Sequence, residues 1–569
     1  MRSTLSAMGF GPSFISWVDL FYFRVQSAVN VNGYLSSFFD LSRGVRQGCP
    51  LSPLLYVLAS EVLAANIRCH PHISGLCLPG SAPLSPISQY ADDTSLILQS
   101  DGAIEASFEV YSLFEKASGS KLNQSKSKGL WLGGWSGRTD PPVALDWSST
   151  KIKALGVFIG VGDLEEDNWR PRITAVDNVL KSWRARSLSF QGKSLVINAL
   201  ALSRIWYVAS LIHMPPWVLR ELSILVFSFF WSGKRELVSR SVVIQPSLLG
   251  GFSVVDVKFK VWSLLGQWVK RFASSPSGWV PFMSFWFRSC FDASPLEVFS
   301  DPVSYAPSLL PPFYRSLLIA WQELGGSFSL SRNSLVFGSL CPHFCSSVDC
   351  MTTKSSYMYL LSENVVQPHC VMKFASTFGR LYWPTTWRSL SFFDLDRQVI
   401  DLNWKISHGV LYTAQRLVSF GLPVPLSCFC GSPVESLEHL FFSCPLAQSV
   451  LCWLQSLMFS FSPMCPVILC RHVLFGFSPD ELRDTPRIFV YMLNVCKFVI
   501  WQSRNDYRFR DLSPGATSAV FKVRARVKFN LPLFFKRFRS PRRQRYFHRQ
   551  WGANGVVASV AAGRLTLCL

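Results

Sequence analysis

The chain has 569 residues, and 56 Lys and Arg against 35 Asp and Glu give a formal net charge of +21. That length excludes a lone small module and allows roughly three to five domains, while the charge favours a polyanionic partner, nucleic acid or an anionic membrane surface. The 16 cysteines are too scattered for a disulfide framework and read as reduced thiols or metal ligands.

Residues 1 to about 165 read as mixed helix and strand, punctuated by Pro83, Pro86, Gly133-Gly134 and Pro141-Pro142. A turn-rich stretch, Arg43-Gly44-Val45-Arg46-Gln47-Gly48-Cys49-Pro50-Leu51-Ser52-Pro53, runs into a predicted helix over Leu54 to Leu63. Its glycines let the backbone approach a ligand, and Arg43, Arg46 and Gln47 offer donors for phosphate and base. Then comes Tyr90-Ala91-Asp92-Asp93, between Ile87 and Leu96-Ile97-Leu98, which places two adjacent carboxylates at a predicted hairpin turn. Such a pair can hold divalent metal at a phosphoryl-transfer site, although Asp-Asp alone is also an ordinary solvated turn.

From Asn168 to about Trp231 the pattern turns helical, with Trp169, Ile173, Val176, Val179, Leu180 and Trp183 mostly three and four apart. Arg170, Arg172, Lys181, Arg184, Arg186 and Lys193 interleave with them, as suits a surface lying along a nucleic-acid backbone or an ordinary solvated basic face. Residues from about 240 to 390 are rich in Ser, Phe and Pro and show no catalytic constellation; Cys341, His343, Cys345 and Cys350 there match no metal-binding spacing. Cys428, Cys430, His439 and Cys444 form C-x-C-x8-H-x4-C, three thiolates and an imidazole suited to tetrahedral zinc. His439 and Cys444, five apart, share one ion most easily if the short helix through His439 loosens at its end. Phe489 to Trp501 is an apolar helical candidate. Beyond it Lys522, Arg524, Arg526, Lys528, Lys536, Arg537, Arg539, Arg542, Arg543, Arg545 and Arg549 interleave with Phe529, Phe534, Phe535, Phe538, Tyr546 and Phe547. That mixture can pair with phosphates and stack on bases, or lie at a membrane surface. The best apolar runs are broken by Pro215-Pro216 or by Lys497, short of the roughly 18 residues a span requires, so no transmembrane segment is expected.

The wording RGVRQGCPLSP followed by YADD resembles the reverse transcriptase of non-LTR (LINE-type) retrotransposons. Ser118 to Lys128 looks like that family's next palm motif, Leu155-Gly156-Val157-Phe158 like its primer-grip hairpin, and Leu188 to Lys193 with Val196, Ile197 and Tyr207 like its thumb. The cysteine cluster, with Trp404, Thr413 and Trp453, is similar to the family's downstream zinc-binding segment, except that one residue, Phe429, stands where the family's first cysteine pair has two. The implied fold is α+β: a partial right-hand polymerase palm over 1–165, a helical thumb over 166–240, a connector over 241–390, a zinc-binding segment over 391–460, a helical region over 461–515 and a basic aromatic tail over 516–569.

The resemblance implies an RNA-directed DNA polymerase that takes an RNA template, a DNA primer and deoxynucleoside triphosphates. Asp92 and Asp93 would bind two Mg²⁺ ions, Lys126 would sit near the incoming triphosphate, and Arg43, Arg46, Gln47 and Gly48 would meet the template and nascent pair. Tyr90 and Ala91 would lie beside the primer end, Leu155 and Gly156 would hold the primer, and Zn²⁺ would be structural. The family's third carboxylate comes from a strand before the segment matched by Met8-Gly9-Phe10-Gly11. None of Met1 to Ala7 is acidic, and Asp19 and Asp40 read as a helix-face residue and a turn residue. The expectation is therefore an incomplete enzyme or a catalytically silent nucleic-acid-binding remnant, located in nucleus and cytoplasm.

Overall fold

The computed structural model describes residues 1–41, 48–80, 82–274, 278–329, 334–337, 346–347, 350–390, 396–561 and 563–569. Helices alternate with small sheets, mostly two-stranded. The chain divides into two compact units: Met1–Pro171 with Leu211–His213 and Leu265–Met351, and Arg172–Ser210 with Met214–Leu264 and Thr352–Leu569.

In the first unit, Pro53 starts the Ser52–Cys69 helix, where its missing N–H costs nothing, and Pro71 stops it by forcing His70 into extended backbone. Asp101–Ser118 is capped by Ser100, whose hydroxyl accepts the Ala103 N–H at 3.2 Å, and is closed by Gly119 at φ 73°. These two helices bury Leu63, Ala64, Ile67 and Ala106 against Ile87, with Leu96, Val110 and Phe114 packed alongside. That shared core supports the hairpin of Ile87–Tyr90 and Asp93–Leu96. Farther on, Arg138 is gripped by both Asp101 carboxylate oxygens at 2.7 Å and lies over the rings of Trp131 and Trp135, tying the 131–140 loop to the helix start. Asp19 lies on the Pro12–Tyr22 helix, paired with Arg2 as a helix-face residue. Asp40 differs from expectation: it ends the strand Phe39–Asp40 and accepts a hydrogen bond from Gln26.

In the second unit, Ile173, Val176 and Leu180 are buried along the Glu165–Arg184 helix, the face their spacing predicts. Phe190 stacks on Phe230 at 5.3 Å within a cluster that includes Trp231, Phe252 and Trp404. Lys193, read as a phosphate contact, spends two of its donors inside the fold, on Phe230 O at 2.9 Å and Ser232 Oγ at 2.6 Å. The apolar candidate over Phe489 to Trp501 lies within a 24-residue helix, Arg487–Arg510. The basic aromatic stretch is folded: helices Ala516–Phe535 and Pro541–Gln550 precede a hairpin of Ala558–Ala561 with Arg564–Leu567. Phe534 and Phe547, read as stacking surfaces for bases, are core residues. Among the described residues, no helix is long and apolar enough to cross a membrane.

Candidate active-site hairpin and metal centre

The Asp92-Asp93 pair sits where alternation and turn chemistry put it. Tyr90 pairs with Asp93 across an antiparallel ladder, so Ala91 and Asp92 are the two turn residues. Ala91 takes φ 52°, the positive value that the first position of such a tight hairpin turn demands. Tyr90, Asp92 and Asp93 are exposed, and among the described residues neither carboxylate holds a hydrogen bond or ion pair. Unneutralised oxygens at a rigid tip suit a hard divalent cation. Tyr56, on the Ser52–Cys69 helix, was not singled out from sequence; burial first, and then the charge of Asp92, pushes its hydroxyl above the usual tyrosine range.

The second hairpin is equally regular. Ala154 pairs with Val157, leaving Leu155 and Gly156 as a two-residue turn with φ of 47° and 82°, both positive as a type I′ turn requires. Lys126 is exposed in a turn whose backbone N–H reaches Asn123 O at 3.1 Å. Gly48 takes φ 85°, a conformation that favours glycine. Arg43, Arg46 and Gln47, with Cys341, His343 and Cys345, lie outside the described residues.

Cys428, Cys430, His439 and Cys444 converge, each offering one ligand atom within 4.8 Å of the others. Tetrahedral zinc with Zn–S near 2.3 Å needs sulfurs about 3.8 Å apart, so small side-chain adjustments close the shell. Local backbone explains the convergence. Gly431 donates to Cys428 O at 3.0 Å and takes φ 91°, and Cys428 N–H donates to Ser432 O at 2.9 Å, a tight turn that presents both sulfurs. His439–Ser443 is a π-helical turn in which Cys444 N–H donates to His439 O at 2.7 Å. This widened turn brings residues five apart onto one face, the loosening that the spacing calls for. Cys430 Sγ is 3.2 Å from His439 Nε2. The Cys428 thiol donates to Cys444, and the Leu446 N–H points at the same sulfur, holding Cys444 below the ordinary thiol range; Cys428, which keeps the proton and is buried, is pushed above it.

Sequence reading missed what holds this turn. Glu435, read as part of a short helix, lies before it and is fully buried. Its carboxylate receives Arg504 Nη2 at 2.7 Å and the Ala414 N–H at 2.9 Å, with Arg508 at 3.6 Å. Arg508 also donates to Ser427 O at 2.6 Å, beside the first zinc-site cysteine. Phe429 packs near Tyr507, ring centroids 5.8 Å apart. The Arg487–Arg510 helix thus grips the cysteine turn through contacts that span 69 to 81 positions, a pairing with no local sequence signal.

Residues 2–159 match the family described as reverse transcriptase (RNA-dependent DNA polymerase), and residues 383–453 match the family described as zinc-binding in reverse transcriptase. The second match contains all four converging donors. The chain carries a reverse transcriptase segment of the non-LTR retrotransposon kind. It is 31% identical over 329 residues to an uncharacterized 149 kDa protein of transposon TX1 from Xenopus laevis, covering 56% of this chain and 25% of that protein. It is also 37% identical over 68 residues to an uncharacterized mitochondrial protein of Arabidopsis thaliana, covering 11% of this chain and 56% of that one. The chain therefore spans less than two thirds of either relative. Both the exposed Asp92-Asp93 tip and the Leu155-Gly156 turn fall in the reverse transcriptase segment, and the Glu435 clamp falls in the zinc-binding one.

Proposed function

We propose that this chain supplies the palm and thumb of an RNA-directed DNA polymerase that copies retrotransposon RNA from a primer 3′-hydroxyl. The observation that carries the reading is the hairpin tip, with two exposed carboxylates that have no partner among the described residues, on a strand pair fixed by the core beneath it. Asp92 and Asp93 are assigned as ligands of two Mg²⁺ ions. Magnesium supplies activation of the primer hydroxyl and neutralisation of charge on the departing pyrophosphate. The chain's own residues position the reactants: Tyr90 and Ala91 flank the primer terminus, Leu155 and Gly156 hold the primer strand, and Lys126 meets the triphosphate. Arg43, Arg46, Gln47 and Gly48 are assigned to the template and nascent pair. RNA-templated primer extension by the full-length protein in Mg²⁺ should fall to background on Asp92→Ala; unaffected extension would overturn the reading.

Zinc is assigned to Cys428, Cys430, His439 and Cys444. Four protein donors close the coordination shell and leave no position for substrate, so the centre is structural. The domain boundaries at 165, 240, 390, 460 and 515 belong to this proposal, as does a location in nucleus and cytoplasm. A second activity, sequence-tolerant nucleic-acid binding, is favoured by the Ala516–Phe535 helix, whose outer face carries exposed Phe521, Lys522, Arg524, Lys528 and Phe529 over a buried seam. This activity stands whether or not the chain polymerises.

A further inference from the structure

Two cavities in the second unit share a wall, Ser187 and Leu188, in the segment that follows the Glu165–Arg184 helix. They differ in chemistry. The smaller, about 230 Å³, is lined by Arg184, Arg186 and Lys193 with no carboxylate among its lining residues. Arg186 lies over the Trp183 ring at 4.3 Å, and Lys193, with two donors spent inside the fold, retains a third. Asp401 in the neighbouring cavity offsets part of the Lys193 charge, and the two arginines, which share their cavity with no carboxylate, suit a phosphate.

The larger cavity, about 750 Å³, is within the range of small-ligand sites. Its lining carries both signs, Arg397 and Arg526 with Asp396 and Asp401, and Asp401 also lies near Lys405 and Lys193. Arg526 is already paired with Asp396 at 3.0 Å and stacked on Phe498 at 4.4 Å, so this cavity offers a phosphate no net attraction. It offers acceptors instead. Asp401 receives the Phe190 N–H at 3.1 Å and retains lone pairs for amino or imino hydrogens. At the rim stands Phe529, 72% exposed, a ring that nothing in the hydrophobic core requires there.

We propose that these paired cavities bind one unpaired nucleotide of a single-stranded nucleic acid, its base in the larger cavity against Phe529 and its phosphate in the smaller one among Arg184, Arg186 and Lys193. This rests on the nucleic-acid reading above and narrows it from any polynucleotide to an unstacked strand. A duplex keeps its bases paired inside and gives Phe529 nothing to stack on, whereas an unpaired base offers a π-face whatever its identity.

The test uses the full chain, zinc-loaded, with fluorescence anisotropy of a labelled oligouridylate and, separately, of an RNA duplex. Phe529→Ala should weaken oligouridylate binding about tenfold at fixed salt and leave its salt dependence unchanged. Phe529→Trp should restore it, and duplex binding should not respond to either change. Arg184→Gln with Arg186→Gln should lower the logarithmic salt slope by up to about 0.7, the one phosphate that the two arginines share. Equal affinity of Phe529→Ala and the parent chain for oligouridylate, or equal losses on single strand and duplex, overturns the nucleotide site while leaving general nucleic-acid binding intact. Failure of the parent chain to bind either probe overturns the nucleic-acid reading, and this site with it.

Discussion

Glu435→Gln removes the carboxylate that Arg504 and Arg508 approach together, leaving buried cationic charge uncompensated. A cost of about 3–5 kcal/mol is expected, read by urea unfolding of the zinc-loaded protein. Arg508 holds Ser427 O, so the same variant should bind zinc more weakly; unchanged stability and zinc affinity would show the clamp to be incidental. Cys430→Ser acts on the ion directly and should lower zinc content and loosen residues from about 400 to 460, as measured by elemental analysis and hydrogen exchange. His408 gives a pH signature. Burial holds it down to about 4 in the folded protein, with Nε2 against Gly250 O at 2.9 Å, whereas an unfolded histidine titrates near 6.5. The unfolded chain therefore takes up its proton first as pH falls. The stability this group contributes is complete above about pH 6.5 and is lost as pH falls toward 4, amounting to about 3 kcal/mol at 1.36 kcal/mol per pH unit. His408→Gln should be less stable at neutral pH and should lose that part of the acid slope in urea titrations.

At the scale of elements, the Ala516–Phe535 helix joins two readings that sequence alone held apart. Its charges and aromatic residues suggested a loose binding tail, yet Ala519, Val523, Val527, Leu531 and Phe534 are buried at spacings of three and four. That period was present in the sequence, masked by the density of Lys and Arg. Truncating the helix would expose this seam and confound any binding measurement. Lys522→Gln, Arg524→Gln and Lys528→Gln, all on the exposed face, should instead weaken single-stranded nucleic-acid binding and lower the salt slope by up to about 2, with the melting temperature nearly unchanged. An unchanged slope would return this face to a membrane-surface role or to none. The two hairpins were legible for the opposite reason: their information is local. Asp92 and Gly156 sit in two-residue turns between short paired strands, and a turn that short fixes its own register.

For the whole molecule, legibility follows sequence separation. The zinc donors span only residues 428 to 444, and their spacing gave both the metal and the need for a loosened helix, which the π turn from His439 supplies. The clamp that steadies them, Glu435 with Arg504, spans 69 positions and left no pattern to find. Residues 241–390 gave no function from sequence. They form helices such as Val257–Ser274 and Pro312–Glu323 in which aromatic rings serve as packing, for example Trp268 edge-on to Trp279 at 5.1 Å. Ser, Phe and Pro content does not distinguish such packing from a binding surface.

The reading of Asp92 and Asp93 as polymerase carboxylates is tested most directly by RNA-templated primer extension in Mg²⁺ with the protein in its full natural length. Parent and Asp92→Ala proteins are compared at matched zinc content and melting temperature. The parent should give DNA product and Asp92→Ala none above background, because the exposed tip residue contributes a metal ligand and little to folding. Equal extension by both proteins would contradict it.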